Sequence, residues 1–309
     1  MGIYIIKKLF LLLPLFIGIT FISFTILKAI PGDPAIILVG ERASPEDIEK
    51  IKRHIGSNRD IVSQYGGYLM MLLKGEFGRS YYTQRRVIED IAEKLPNTAA
   101  LALAAMLIAV PAGILFGFIA GLRQNTWIDS FISGLSLTGL SLPVFWTGLL
   151  LMYFISLNLQ LLPPSGTGFR FIILPSLTLA FPAIGSISRV TRTMVIEISS
   201  MPYIKTAISK GVSPLRLYGI HMFKNIIIPV ITVIGIDFGS YLSGAVLTET
   251  IFGWDGIGRF TFEGIMKRDY PVVMGCIITA TMIFVLINLI VDIMYHLLDP
   301  RVRFHAPQR

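Results

Sequence analysis

Residues 98–120 read TAALALAAMLIAVPAGILFGFIA, twenty-three positions without a charged side chain. At ~1.5 Å of rise per residue, a helix of that length crosses the ~30 Å hydrocarbon layer of a bilayer. The fold follows from how often such runs recur. Residues 9–30 form another, with one charge, Lys28, near its end and Lys7 and Lys8 before it. It is too long for the apolar region of a signal peptide, and no small-x-small cleavage site follows, so an uncleaved first span is expected. Residues 98–120 are the second. Forty uncharged residues separate Asp129 from Arg170; they hold a third span at about 132–157 and a turn centred on Pro163-Pro164-Ser165-Gly166. Residues 171–188 give a short, proline-broken fourth span closed by Arg189 and Arg192. A fifth runs from about 226 to 247, and a sixth from 272 to about 297.

Composition agrees. Of 309 residues, 53% are apolar and 15% charged, and the mean hydropathy is +0.70. An average soluble domain carries about 25% charged residues, and a soluble core of this size cannot hide so much apolar surface. A soluble enzyme, a coiled coil and a disordered chain are excluded. The net charge is +8, from 27 Lys and Arg against 19 Asp and Glu. Residues 31–97 hold ten basic and ten acidic residues, so this stretch is neutral and the excess lies elsewhere. With the N-terminus inside, the inner segments carry Lys7, Lys8, Arg123, Arg189, Arg192, Lys205, Lys210, Arg216, Lys224, Arg301, Arg303 and Arg309. The short outer loops carry only Arg170, Arg259, Lys267 and Arg268. The positive-inside rule then puts both termini in the cytoplasm, and the charge reads as orientation rather than nucleic-acid binding. The 31–97 segment falls outside. Its Ser44-Pro45-Glu46-Asp47 reads as a helix start, with Ile48, Ile51 and Ile55 at helical spacing and Gly56 as a stop, so it is expected to be a small ordered domain.

The motifs of several enzymes are missing. There is no Gly-x4-Gly-Lys-Ser/Thr loop, no His-Glu-x-x-His and no Gly-x-Ser-x-Gly. His54, His221, His296 and His305 are scattered, and one cysteine, Cys276, allows neither an internal disulfide nor a Cys-based zinc site. Cys276 lies in an apolar run, where a packing role is expected. No catalytic and no metal-ligating residues are assigned.

Three polar segments remain. In the inner loop 194–225, Pro202 is placed to start a helix and Gly211 to end it. Thr206, Ala207 and Lys210 make a small-residue patch with basic flanks that admits another protein surface closely; an ordinary solvated loop helix has the same composition. In the fifth span, Asp237 stands mid-run, where a carboxylate is costly and must face a partner or a wet cavity. It serves either a cationic group on a pathway, such as a peptide N-terminus or a metal complex, or a structural hydrogen bond to a neighbouring span. Asp292, near the inner end of the sixth span, reads as structural. In the outer loop after the fifth span, Glu249, Trp254, Asp255 and Arg259 sit among turn-forming glycines. Trp254 suits an interfacial aromatic belt, as do Trp146 and Tyr153.

Residues 203–229, with Tyr203, Thr206-Ala207, Gly211, His221, Asn225 and Pro229, resemble the "EAA" loop of ABC-importer permeases, in the form found in the dipeptide/oligopeptide/nickel family. Further segments match in order: Phe21-Ile22-Ser23-Phe24, Pro31-Gly32-Asp33-Pro34, Gly75-Glu76-Phe77-Gly78-Arg79-Ser80-Tyr81, Leu95-Pro96-Asn97-Thr98 and Ser141-Leu142-Pro143-Val144-Phe145-Trp146. Later come Thr248-Glu249-Thr250-Ile251-Phe252-Gly253-Trp254, Gly256-Ile257-Gly258-Arg259, Arg268-Asp269-Tyr270-Pro271 and Leu298-Asp299-Pro300-Arg301. The resemblance covers nearly the whole chain. It implies a coupling helix, carried by Tyr203, Lys205, Thr206, Ala207 and Gly211, that docks on a separate ATPase subunit. Lys205 stands where the general motif has Glu, and Pro202 where the subfamily commonly has an acid. It also implies an outer gate at Glu249 and Trp254; family members often carry a polar amide at the position of Asp237, whose pathway reading rests on its place mid-span.

The chain is therefore expected to be an all-α polytopic membrane protein with six transmembrane helices. Residues 1–30 form a tail and the first span, 31–97 an extracytoplasmic domain between spans 1 and 2, and 98–309 a five-span permease core. The resemblance implies a subunit of an ATP-driven importer for di- or oligopeptides in a bacterial or archaeal plasma (inner) membrane. The implied partners are a second homologous permease, two ATPase subunits that bind ATP-Mg, an extracytoplasmic solute-binding protein and membrane lipid; this chain itself holds no cofactor. Nickel chelates or another small solute are the alternative cargo. A stand-alone secondary transporter and an intramembrane enzyme are the readings of another class; the first leaves the inner loop unexplained, and the missing catalytic motifs oppose the second.

Overall fold

The computed structural model describes residues 14, 16–26, 44, 46, 48–50, 60–166 and 168–298. Among the described residues every regular element is a helix, with one isolated β-bridge between Arg79 and Arg86. The helices are α1 (Phe16–Ile26), α2 (Ile61–Leu73), α3 (Val87–Leu122), α4 (Trp127–Ser141), α5 (Val144–Leu151) and α6 (Phe169–Ser199). They continue with α7 (Pro202–Ser209), α8 (Pro214–Leu242), α9 (Val246–Ile251), α10 (Ile257–Lys267) and α11 (Tyr270–Leu298). A π-helical turn, Met152–Asn158, extends α5, and another, Leu217–Met222, lies within α8.

Four helices, α3, α6, α8 and α11, are long and apolar enough to cross a membrane, and α4 with α5 makes a fifth if that bent pair is one span. The chain is an all-helical polytopic membrane protein. Of the expected first span, 9–30, the described residues are 14 and 16–26, and Phe16–Ile26 form α1. Of the helix expected after Ser44, the described part is Ser44, Glu46 and 48–50; Ile48 N donates to the Ser44 carbonyl at 3.1 Å.

Two spans differ from expectation. The third bends by 105° between α4 and α5. Leu142 is extended at the break (φ −77°, ψ 133°), because the Pro143 ring excludes the helical region for the residue before it. The fourth span is not short. α6 runs 31 residues, through Pro175 and Pro182 and past Arg189 and Arg192. Proline in a membrane helix is tolerated when neighbours satisfy the freed carbonyls. Here Tyr241 Oη donates to the Leu179 carbonyl at 2.8 Å, in the turn that Pro182 loosens.

The chain divides into two compact units, Met1–Pro96 with Gly256–Met282 and Asn97–Asp255 with Ile283–Arg309. In the first unit, Val87, Ile91, Ile257, Val272 and buried Cys276 form one apolar cluster, and Tyr68, Val273, Met274 and Ile278 another. Asp269 pins the segment before α3: Ser80 Oγ donates to its Oδ2 at 2.5 Å and Tyr81 N to its Oδ1 at 3.2 Å. Burial, with that carboxylate close by, pushes the Tyr81 phenol up and keeps it protonated.

In the second unit α6 is the central post. Gly113, Gly117 and Gly121 of α3 lie against Ile187, Ser188 and Val195 of α6 with no room for a side chain. Gly139 of α4 faces the Phe181 carbonyl, and Gly185 of α6 the Ser136 carbonyl, equally closely. Small residues let helix backbones meet where lipid supplies no hydrophobic drive for association. The core between α3, α6, α7 and α8 holds Ala109, Ala183, Ile187, Val195, Ile204 and Val230.

One ion pair locks α4 to α6. Arg192 donates Nε to Asp129 Oδ1 at 2.5 Å and Nη2 to Oδ2 at 2.8 Å. Asn125 N and Ser133 Oγ add donors at 3.0 and 3.2 Å. Asp129 is 6% exposed and Arg192 30%. Removing one partner of such a pair strands the other charge, so Asp129→Ala is expected to cost about 2–3 kcal/mol. Thermal unfolding in detergent should show a lowered Tm, with Asp129→Asn in between; an unchanged Tm in Asp129→Ala would refute this role.

Candidate functional site

The inner-loop helix forms where its sequence places it. Pro202 occupies the first helical position of α7, where its missing N–H costs nothing. Gly211 ends it with φ 73°. Its N–H donates to the Ile208 carbonyl at 2.9 Å, and Val212 N to the Ala207 carbonyl at 3.2 Å. That pair of reversed bonds is a Schellman cap, which requires the left-handed residue that glycine provides cheaply.

α7 is held from below and open above. Ile204, 2% exposed, drops into the core beside Ile198, Leu217 and Met222. Full burial of such a side chain contributes about 1.5–3 kcal/mol. Ala207 and Val212 pack half-buried against the same cluster. Tyr203 fixes the orientation: its hydroxyl accepts from Asn225 Nδ2 at 3.0 Å, and Asn225 also donates to the His221 carbonyl at 3.1 Å. A cleft of about 420 Å³ lies behind Tyr203, bordered by Met194, Glu197, Met201, Asn225 and Pro229. Lys205, Thr206, Ile208 and Lys210 face out. So does Leu215, 86% exposed in the first turn of α8. The outward side of α7 and the turn after it thus carries apolar and basic side chains together.

Asp237 lies on α8 and accepts from Ser186 Oγ of α6 at 2.7 Å through Oδ2. Among the described residues it has no cationic partner. Glu249 and Trp254 are elsewhere, inside the second unit. Glu249 is fully buried and accepts from Thr98 Oγ1 at 2.9 Å. Trp254 packs with Leu101, Ala105 and Leu179, and its Nε1 donates to the Asn97 carbonyl at 2.9 Å. Asn97 Nδ2 donates in return to the Asp255 carbonyl at 2.8 Å. This network staples the loop after α9 to α3. Trp146 and Tyr153, by contrast, are exposed along their helix as a belt requires.

Tyr203, Lys205, Thr206, Ala207 and Gly211 are therefore gathered on one element, while Asp237 and the Glu249–Trp254 pair occupy separate places. The sequence reading missed Leu215, the Tyr203–Asn225 latch, Ser186 as the partner of Asp237, and the Gly113-x3-Gly117-x3-Gly121 row. The glycine row was readable from its four-residue spacing. Leucine after Ser213-Pro214, in an otherwise polar loop, was a weaker signal. The hydrogen-bond partners had none, since they join residues many positions apart. Among the described residues, no group of three His, Cys, Asp or Glu stands close enough to hold a metal ion.

Comparison with known proteins places these features. Residues 113–304 match the binding-protein-dependent transport system inner membrane component family, and residues 1–102 the N-terminal family of the same membrane components. The chain is 37% identical to the di/tripeptide transport system permease protein DppB of Pseudomonas aeruginosa, over 97% of this chain and 98% of that protein. It is 36% identical to the dipeptide transport system permease protein DppB of Alkalihalophilus pseudofirmus, over 97% and 99%. It is 34% identical to its Escherichia coli counterpart, over 97% and 98%. Among solved structures, the inward-facing MetNI methionine ABC transporter superposes with a TM-score of 0.57 at 12% identity, over 69% of this chain and 97% of that one. At that identity the likeness concerns the fold.

Proposed function

The chain belongs to the binding-protein-dependent transport system inner membrane component family, and from that membership we propose that it forms half of the membrane pathway of an ATP-driven importer of di- and oligopeptides. It is an integral inner-membrane transport subunit, not an enzyme. The observation that carries the mechanism is α7: a capped, latched helix whose outer face is left open beside exposed Leu215. Seated in a groove of an ATPase subunit, it transmits the closing of an ATPase pair to α6 and α8 through Ile204 and the Tyr203–Asn225 latch. A second, homologous permease supplies the other half of the pathway. Two ATPase subunits bind ATP-Mg, and a solute-binding protein outside delivers the peptide. ATP biases the two access states only insofar as it binds them unequally.

The same reading places both termini in the cytoplasm, makes the apolar run at 9–30 the first of six spans, and puts residues 31–97 outside, within reach of the binding protein. The peptide cargo is supported by near full-length similarity to peptide permeases.

The test is reconstitution of the chain with its homologous permease, ATPases and binding protein in liposomes. Labelled dipeptide should accumulate only with ATP and the loaded binding protein. Accumulation without the ATPases would overturn the importer reading; a binding protein that co-purifies with a solute other than peptide would overturn the cargo.

A further inference from the structure

α6 is packed on three sides and open on one. Ile187, Ser188 and Val195 face α3; Phe181 and Gly185 face α4; Leu179 and Ser186 meet α8. The remaining face carries Arg189, Thr193 and Glu197, with Ser186 at its α8 edge, a polar stripe at three- and four-residue spacing on an otherwise apolar helix. Arg189 and Thr193 are exposed, and they also border a cleft of about 380 Å³ walled by Ser133, Ser136 and Ser188. Two opposite charges flank this stripe without protein partners to neutralise them. Asp237 is held against Ser186 through Oδ2, and its Oδ1 has no partner among the described residues. The Arg189 guanidinium has none there either; only its backbone carbonyl is engaged, by Thr193 Oγ1 at 3.0 Å. An unpaired carboxylate within a membrane span, as Asp237 is, is costly and marks the path of something that pairs with it, and Arg189 lies on the same stripe.

We propose that Asp237 and Arg189 form a transient cargo site for a zwitterionic dipeptide, Asp237 taking its α-ammonium and Arg189 its α-carboxylate. The spacing suits that length. Ser186, and with it the carboxylate it holds, lies three residues from Arg189, ~4.5 Å along the helix. The long, flexible Arg189 side chain gives its guanidinium the reach to meet the far end of an extended dipeptide, which spans ~7 Å between its ends. A guanidinium pairs bidentately with a carboxylate, and a carboxylate accepts two of the three ammonium hydrogens, so both ends are held without reading the cargo side chains. The site thus suits a pathway that serves many peptides. This inference rests on the peptide reading of the importer.

The test uses Thr193→Cys in the assembled importer in nanodiscs, with Cys276, the chain's one cysteine, replaced by alanine. The rate at which a charged maleimide labels position 193 is read by mass spectrometry, and dipeptide uptake is measured in parallel. Free dialanine should slow labelling at least threefold, and N-acetyl-dialanine amide should not. In the Asp237→Asn or Arg189→Gln background, about tenfold more dialanine should be needed for the same protection. Equal protection by the blocked peptide, or protection that survives both substitutions, would overturn the site. If uptake of dipeptide is intact while no protection is seen, this site alone fails. If the unsubstituted importer takes up no dipeptide, the cargo reading fails and the site with it.

Discussion

Ala207→Asp is expected to cut dipeptide uptake by tenfold or more while the chain still accumulates in the membrane. Ala207 sits half-buried on α7, between the core and the outer face. A carboxylate there cannot turn inward among Ile198, Leu217 and Met222, so it turns outward into the surface that the proposed coupling role presents to an ATPase. One uncompensated charge in a docked interface costs ~2–5 kcal/mol, and each ~1.4 kcal/mol is a factor of ten in affinity. Gly211→Asp acts differently. Its left-handed backbone costs a non-glycine residue ~1–2 kcal/mol, which Asp and Asn bear better than other side chains. The Schellman cap should therefore survive in Gly211→Asn and fail in Gly211→Val, while Gly211→Asp adds a charge beside the docking face. Co-purification of the ATPase with each variant, measured with uptake, separates these effects. Normal uptake by both Ala207→Asp and Gly211→Asp would remove the coupling role from α7.

The sequence made α7 legible because its two ends are written in residues with special backbones. Proline at 202 and glycine at 211 set limits that hardly depend on tertiary context. The apolar runs were legible for a similar reason: a bilayer demands length, and length is visible. What stayed hidden were the places where two helices negotiate. Residues 171–188 look like a broken span because Pro175 and Pro182 break helices in water. In α6 the helix continues through Arg192, and Tyr241 bonds a carbonyl, that of Leu179, in the turn before Pro182. That continuation carries Arg192 to Asp129 and places Arg189 on the open face. Glu249 shows the opposite difficulty. A glutamate in a glycine-rich outer loop reads as surface, yet Thr98, some 150 positions earlier, donates to it in the interior. A carboxylate's partner fixes its place, and no local pattern names a partner so distant.

The glycine row on α3 yields the second large effect. Gly117→Leu is expected to remove the folded chain from the membrane fraction. A Cβ at 117 would fall on the Ser188 carbonyl oxygen, inside contact distance, and 2.6 Å from Thr191 Cβ. Both neighbours belong to the body of α6, which is held in place by α4, α8 and the Asp129–Arg192 pair, so neither can swing away as a surface rotamer does. Overpacking a filled interface typically costs ~1–3 kcal/mol and occasionally more, and leucine, bringing several atoms where not even a Cβ fits, falls at the upper end. With folding stability of only ~5–15 kcal/mol, that is decisive. α3 and α6 would have to part along Gly113, Gly117 and Gly121 together, because the three lie on one face at intervals of a single turn. Gly117→Ala should be milder than Gly117→Leu but still reduce yield. Gly134→Ala, with nothing within 4 Å of the added carbon, should leave it unchanged. Gel filtration in detergent would read all three. A Gly117→Leu chain that accumulates and elutes like the unsubstituted protein would mean that α3 and α6 do not meet along this row.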